Sequence, residues 1–296
     1  MRPVRAVAVL LLAVGSAAIH VRANAQGDDW SAVERAMGRG GAPQAGGVER
    51  FSFPRADMAV TVDGVRLRPA LALGSWLAFR RTANGGAMAM GDLVLADSEL
   101  APVLARLQQG GVTPTAVHNH LARETPRVTY VHVDAAGDPV RIAETVRAAL
   151  ALTGTPAASP PSASPPPLEL DTAAITRALG HGGRANGGVW QVSVPRAAPV
   201  RLHGEEVPPA MGVATALNFQ PTGGGRAVAT GDFVMTADEV PQVAAALNAS
   251  HIQLTALHSH MVGEEPRLWF AHFWANGDAA AIARGLGDAL AKMAVR

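Results

Sequence analysis

The sequence predicts an α+β protein built from two tandem copies of one domain, each an antiparallel sheet with packed helices. Three observations carry that expectation. His118, His120, Arg127, His132 and Asp138 return in the same order as His258, His260, Arg267, His272 and Asp278, each 140 positions later. At the same displacement Gly91-Asp92 returns as Gly231-Asp232, Phe79 as Phe219 and Leu150 as Leu290. Within each copy, a block of short strand-like segments precedes a helix, a hairpin and a second helix, an order that suits antiparallel pairing. The length of 296 residues agrees with two domains of about 150 residues each. A period of 140 is far beyond the roughly 20–50 residues of a solenoid repeat.

The elements follow in order. Residues 29–37 read as a helix that stops at Gly38, a residue suited to the left-handed position after a helix end; 172–179 with Gly180 is its counterpart. Short strands are expected at 48–53, 59–62, 71–80 and 87–95, and again at 189–194, 200–203, 212–219 and 227–235, punctuated by Gly and Pro. The next helix has Asp97 or Ser98 to accept from its free N–H groups, and Thr236 with Glu239 has capping-box spacing. Pro102 and Pro241 fall in its first turn, where a missing N–H does little harm. Leu100, Val103, Leu104 and Leu107 share one helical face. Two strands then carry the histidines, at 113–120 and 127–134 (253–260 and 267–274), and a helix over 140–150 (279–290) closes each copy.

Domain boundaries are expected near 28–152 and 168–294, with a spacer rich in Pro, Ala and Ser at 153–167. Ahead of the first copy, Arg2 and Arg5 precede an apolar run over 6–18, and Ala23-Asn24-Ala25 offers small residues at the positions a signal peptidase reads. Residues 1–25 are therefore read as a leader, giving a mature chain that starts at Gln26 and works in the periplasm or outside the cell, without a membrane anchor after cleavage. Hydrophobic residues make up 48% and charged residues 17%, enough for a true core. A formal net charge of +1 leaves no basic surplus for a phosphate backbone, so nucleic acid is not expected as a partner. With no cysteine, thiolate metal sites, Fe–S clusters and cysteine nucleophiles are excluded.

The histidines are the candidate site. On a strand, residues i and i+2 project from one face about 6.6–6.8 Å apart along the backbone, so His118 and His120 can converge on one ion. His132, returning on the next strand, is a third nitrogen donor. The same holds for His258, His260 and His272. Three imidazoles with one open position describe a catalytic zinc site and also suit copper, nickel or iron. The condition is register: His132 shares their face only if paired residue numbers sum to an even value or a bulge corrects the pairing. Glu124 and Glu264, in the intervening loops, are candidates for a fourth ligand or a general acid/base. Arg127 and Arg267 are candidates for holding a carboxylate in a bidentate fork. The competing reading makes the histidines hydrogen-bonded core residues. Gly91-Asp92 reads as a bulge or turn, Gly137-Asp138 as a turn and N-cap, and Gly223-Gly224-Gly225, with no Walker lysine after it, as a hairpin tip. Ser259 stands where the first copy has Asn119, which argues against a shared serine nucleophile.

At HNHLARETPRVTYVHVDAAGDP and HSHMVGEEPRLWFAHFWANGDA, and at the segments Gly91–Glu99 and Gly231–Glu239, the chain resembles a bacterial family of unknown function typified by the mycobacterial envelope lipoproteins LppY and LpqO. That resemblance implies an envelope location and a duplicated domain, and brings no established activity. Without a cysteine after the leader, this chain departs from the lipoproteins. A shorter pattern, H-x-H followed by a third His with Glu and Arg, is similar to acetolactate decarboxylase, a zinc enzyme. By that analogy His118, His120, His132, Glu124 and Arg127, or their second-copy equivalents, would form the site. The reading is a metal-dependent enzyme acting on a small carboxylate, zinc being the first candidate; a non-catalytic metal- or ligand-binding protein and a structural envelope protein are the alternatives.

Overall fold

The computed structural model describes residues 29–156 and 167–296, so the expected leader and most of the expected spacer lie outside the described residues. The first repeat runs α1 (Ser31–Met37), β1 (Ala42–Gln44), β2 (Val48–Pro54), β3 (Thr61–Val62), β4 (Val65–Arg66), α2 (Pro69–Ala72), β5 (Gly74–Arg81), β6 (Ala87–Ala96), α3 (Asp97–Gln109), β7 (Thr113–His118), β8 (Val128–Gly137) and α4 (Pro139–Leu150). The second runs α5 (Thr172–Leu179), β9 (Gly183–Asn186), β10 (Val189–Pro195), β11 (Val200–Leu202), β12 (Glu205–Val207), a 3-10 turn (Pro209–Met211), β13 (Ala214–Gly223), β14 (Arg226–Met235), α6 (Val240–Ala249), β15 (Gln253–His258), β16 (Trp269–Asp278) and α7 (Ala279–Leu290). Each repeat forms a six-stranded antiparallel sheet of one topology, β1-β2-β5-β6-β8-β7 and β9-β10-β13-β14-β16-β15. The expected fold class holds.

Alternation along the strands sorts residues onto two faces. Phe51, Phe53, Leu77, Phe79, Leu93, Val131 and Val133 point to the helices and form the first core with Val103, Leu107, Ile142 and Val146. Phe219, Phe233 and Phe273 do the same against Leu247, Ile282 and Leu286 in the second. The opposite faces of the two sheets meet each other. Two further clusters mix the repeats: Ala78, Met88 and Met90 pack with Val207, Met211 and Phe270, and Leu71, Val94 and Tyr130 with Val189, Val228 and Trp274. The layers are helices, sheet, sheet, helices.

Several local expectations are corrected. Residues 71–72 belong to α2, because Pro69 fixes a helical φ at the first turn, and the strand begins only at Gly74. The short edge strands β1 and β9 were not expected; they carry little apolar alternation to reveal them. At the head of α3 neither Asp97 nor Ser98 caps the helix; Glu99 reaches back to the Ala96 N–H at 2.8 Å, as Glu239 does to Thr236. Gly38 and Gly180 do end α1 and α5 in the left-handed region, with φ of 71° and 72°. Asp138 and Asp278 cap α4 and α7, and residues 224–225 turn the β13–β14 hairpin.

The two capping glutamates also anchor each repeat. Glu99 pairs with Arg55 at 2.7 Å and accepts from Gly154; Glu239 pairs with Arg196 at 2.7 Å and accepts from Ala294. The end of each repeat is thus tied to the start of its central helix. The Arg196–Glu239 pair is buried, so removing one partner leaves an uncompensated charge. Glu239→Ala is expected to cost about 3–5 kcal/mol, read as a lower urea midpoint. The Arg196 guanidinium and two backbone N–H groups outweigh burial and hold the Glu239 carboxyl down at about 2, below its ordinary 4.5. The wild-type stability from this pair is therefore complete above pH 4.5 and is lost as pH falls toward 2, a slope that Glu239→Gln should flatten.

Candidate metal centre

The register condition is met through a bulge. Along β7 and β8, Thr113 pairs with Asp134 and Pro114 with Val133; past Thr115 the pairing becomes Ala116 with His132 and His118 with Tyr130. The one-residue shift turns an odd sum into an even one and puts His118 and His132 on one face. Thr255 makes the same bulge between β15 and β16. His120 corrects the expectation: β7 ends at His118, and His120 lies in the bend beyond it, its ring stacked 3.4 Å from that of Tyr130. His260 stacks on Phe270 at 3.6 Å in the same way.

The face that carries these histidines is the one that meets the other repeat. The expectation of a separate centre inside each copy is therefore corrected: all six imidazoles gather in one place between the sheets. Ring centroids lie 3.6 Å apart for His118 and His258, 3.9 Å for His120 and His272, and 3.6 Å for His132 and His260, each pair crossing between repeats. The bulge threonines hold the two faces together. Thr115 donates from Oγ1 to the His260 carbonyl, and Thr255 to the His120 carbonyl, both at 2.6 Å.

Two sets of four histidines have donor atoms all within 4.8 Å of one another: His118, His258, His260 and His272, and His118, His120, His132 and His260. His118 and His260 belong to both. The imidazoles fit a metal by the direction of their lone pairs. Nδ1 of His118, His258 and His272 faces the carbonyls of Asn119, Ser259 and Gly231 at 3.3, 3.3 and 3.2 Å. A carbonyl only accepts, so Nδ1 carries the proton and, in the neutral ring, Nε2 turns a bare lone pair inward. Burial, reinforced by the neighbouring imidazoles, drives His120, His132, His260 and His272 well below their ordinary pKa and His118 to about 3, so the rings are neutral at physiological pH. Nε2 of His118, His120, His132 and His258 is buried without a hydrogen-bond partner.

Two carboxylates that sequence reasoning missed join the site. Gly91-Asp92 and Gly231-Asp232 are neither bulge nor turn; they sit in the middle of β6 and β14, with Asp92 paired to His132 and Asp232 to His272. Their 140-residue recurrence beside the histidines was the available signal. Asp92 Oδ1, buried and without a hydrogen-bond partner, lies 4.0 Å from His132 Nε2. Burial, with the Asp232 charge adding to it, pushes the Asp92 carboxyl well up, and burial pushes Asp232 to about 7. The glycines let the strands approach: a Cβ at Gly91 would stand 2.6 Å from the Trp76 carbonyl, and one at Gly231 1.8 Å from that of Ala216.

The remaining expected residues lie to the side. Glu124 accepts from the Val128 N–H at 3.2 Å and Glu264 from Leu268 at 3.0 Å, each bracing the loop between its histidine strands, with Oε2 buried and unpartnered. Burial raises Glu124 to about 7. Neither belongs to the four-histidine sets. Arg127 is exposed and donates to Asn119 at 2.8 Å; Arg267 is exposed and 3.6 Å from Glu264. A cavity of about 990 Å³ opens on the centre between the repeats, lined by His120, His132, His260, His272, Asp92 and Asp232, and by none of Glu124, Glu264, Arg127 or Arg267.

Fold and site together define a duplicated α+β protein with one histidine-rich centre shared by its halves. The chain belongs to the family described as a domain of unknown function (DUF1259), whose model matches residues 31–152 and again 173–292. No curated protein matches the chain. Among solved structures, PduB, a trimeric bacterial microcompartment shell protein, is similar over 86% of this chain and 89% of that one at 12% identity and a TM-score of 0.22, too low to bear on fold or function.

The threonine contacts make a prediction about the interface. Replacing Thr115 and Thr255 together with Val removes two hydrogen bonds between repeats, each worth about 1 kcal/mol. The double variant should lose about 2 kcal/mol in chemical unfolding, and its hydrogen exchange should rise at residues facing the other sheet before it rises in the helical cores.

Proposed function

We propose that the six-histidine centre holds a divalent transition metal, zinc being the first candidate, and that the protein uses it as an enzyme on small molecules entering the adjoining cavity. The observation that supports this most directly is the gathering of four buried, unpartnered Nε2 atoms, on His118, His120, His132 and His258, with the ring protons of His118 and His258 committed to backbone carbonyls. Imidazole-only coordination suits zinc, copper, nickel or iron. When bound, such an ion acts as a Lewis acid toward a carbonyl or a water in the cavity.

The chain's own residues supply the rest. His118 and His260, common to both four-donor sets, tie the two halves to one centre. Asp92 and Asp232 line the cavity next to the imidazoles, and burial lets Asp232 exchange a proton near neutral pH. Trp76 lines the cavity, and the two bulge threonines tie the repeats together beside it. The short pattern shared with acetolactate decarboxylase supports a metal at the histidines, but Glu124 and Arg127, the residues that analogy would use, stand outside the cavity lining. One observation favours a second reading, metal storage without catalysis: each set of four imidazoles suffices to close the tetrahedral sphere of one zinc ion.

Elemental analysis of protein purified without affinity-tag metals tests the proposal. Divalent metal should accompany the wild type, stay with a His181→Ala control, and fall at least tenfold in a His118→Ala, His260→Ala double variant. Chelator should lower the wild-type melting temperature and leave that of the double variant unchanged. Metal-free wild type with a chelator-insensitive melting temperature would return the histidines to the core. An open coordination position, read by X-ray absorption as three nitrogen neighbours and an added oxygen in place of four nitrogens, separates the enzyme from the store.

The proposal includes an envelope address. Its support is the leader pattern over 1–25 and the likeness of the H-x-H segments to the LppY and LpqO lipoproteins. No helix among the described residues is long and apolar enough to cross a membrane. N-terminal sequencing of the protein recovered from its native host should begin at Gln26; a mature protein still starting at Met1 would remove this part.

A further inference from the structure

The two repeats agree around the histidines and part company across the cavity. A row of cross-strand neighbours runs Ser52, Trp76, Asp92, His132 through β2, β5, β6 and β8. In the second repeat it runs Ser193, Ala216, Asp232, His272. Serine, aspartate and histidine are kept, and tryptophan faces alanine. Two residues along β2, on the same face, Arg50 pairs with Ala78; at the equivalent place Gln191 pairs with Asn218. Arg50 and Trp76 therefore belong to one repeat alone, and both line the cavity.

Their arrangement is that of an anion grip. The Arg50 guanidinium lies over the Trp76 ring, 3.8 Å from its centroid, which fixes the plane of the fork. Nη1 donates to the Ala210 carbonyl at 2.8 Å. Among the described residues no carboxylate comes within ion-pair distance of it; the nearest in the strand order is Asp92, across from Trp76. Arg184, contributed by β9 of the second repeat, lines the same cavity and adds a second positive charge to that end. Asp92, on the strand beyond Trp76, attracts the half-buried guanidinium without forming an ion pair with it, so the fork keeps donors for an anion in the cavity. Trp76, Met90 and Met211 give the same cavity an apolar part of its wall.

We infer that the cavity binds a small organic carboxylate, its anionic group on Arg50 with Arg184, its apolar body along Trp76, and its far end at the histidine centre. Only the last element rests on the proposed metal reading; the grip on the anion does not. Arg50 thereby takes the orienting part that sequence reasoning gave to Arg127 and Arg267.

Calorimetric titration tests this with three probes that differ in the head group: 3-phenylpropionate, 3-phenylpropionamide and 2-phenylethylphosphonate. The carboxylate should bind at least tenfold more tightly than the neutral amide. Arg50→Met should weaken the carboxylate at least tenfold and leave the amide unchanged, Arg50→Lys should restore part of the loss, and metal content should be unaffected in both. Equal affinity for acid and amide, no binding of the acid, or an Arg50→Met variant with wild-type affinity would each overturn the inference. So would a phosphonate that binds tenfold more tightly than the carboxylate. Titrating chelator-treated protein keeps the two readings apart: carboxylate binding that survives chelation sustains the anion grip, binding lost with the metal overturns it, and the metal proposal is decided separately by the metal content of untreated protein.

Discussion

Everything about this molecule turns on six neutral imidazoles facing one another across the interface of two sheets. Lone pairs crowded together in a buried region repel, and the unpartnered Nε2 atoms of His118, His120, His132 and His258 lose their hydrogen bonds to water without replacement. Protonation cannot relieve this, because burial and the neighbouring rings oppose a positive charge on any of them. A cation held by these histidines would reverse the sign of the problem, turning repelling lone pairs into ligands. The structural devices nearby act toward the same end. The threonine bulges set the register, the backbone carbonyls of Asn119, Ser259 and Gly231 fix the tautomer, and Tyr130 and Phe270 brace the two rings that lie beyond the strand ends.

Duplication explains why the site sits where it does. One repeat alone covers one face of its sheet with helices and leaves the other, carrying three histidines, an aspartate and a set of methionines, without a partner. A second copy offers the same face, and pseudo-two-fold packing brings each histidine against a histidine of the other half. The glycines before the aspartates matter for the same reason. With a side chain at Gly91 or Gly231 the neighbouring strand could not approach so closely, and His272 would lose the carbonyl that orients it.

Much of this was legible in the sequence, and the illegible part has identifiable causes. The 140-residue displacement revealed the two repeats, and left-handed glycines and aspartate caps marked helix ends because those residues act locally. Register was not readable, since Thr115 and Thr255 have nothing in their identity that distinguishes a bulge from a regular strand residue. Periodicity likewise shows which residues are equivalent but not which ones face each other, so a centre shared between repeats looked like two separate ones. Asp92 was passed over because a glycine before it reads as a turn, whereas here the glycine permits strand contact. Glu124 and Arg127 drew attention by their nearness in sequence to the histidines, yet the loop that carries them folds away from the cavity.

The departure from two-fold symmetry is what gives the centre a direction. If the halves were identical, a ligand could approach from either side with equal energy, and a bound ion would serve storage as well as chemistry. Arg50 and Trp76 in one repeat, opposite Gln191 and Ala216 in the other, make one end of the cavity cationic and flat. The counterpart glutamine is instead spent on the Ala70 carbonyl, at 2.8 Å. The histidines and aspartates are the same in both copies, while Arg50 and Trp76 are among the cavity residues that differ in charge and size. The six imidazoles are the same in both halves while the lining around them differs at Arg50 and Gln191, Trp76 and Ala216, and Met90 and Thr230, so the donors are common to the repeats and the shape and charge of the space beside them are not.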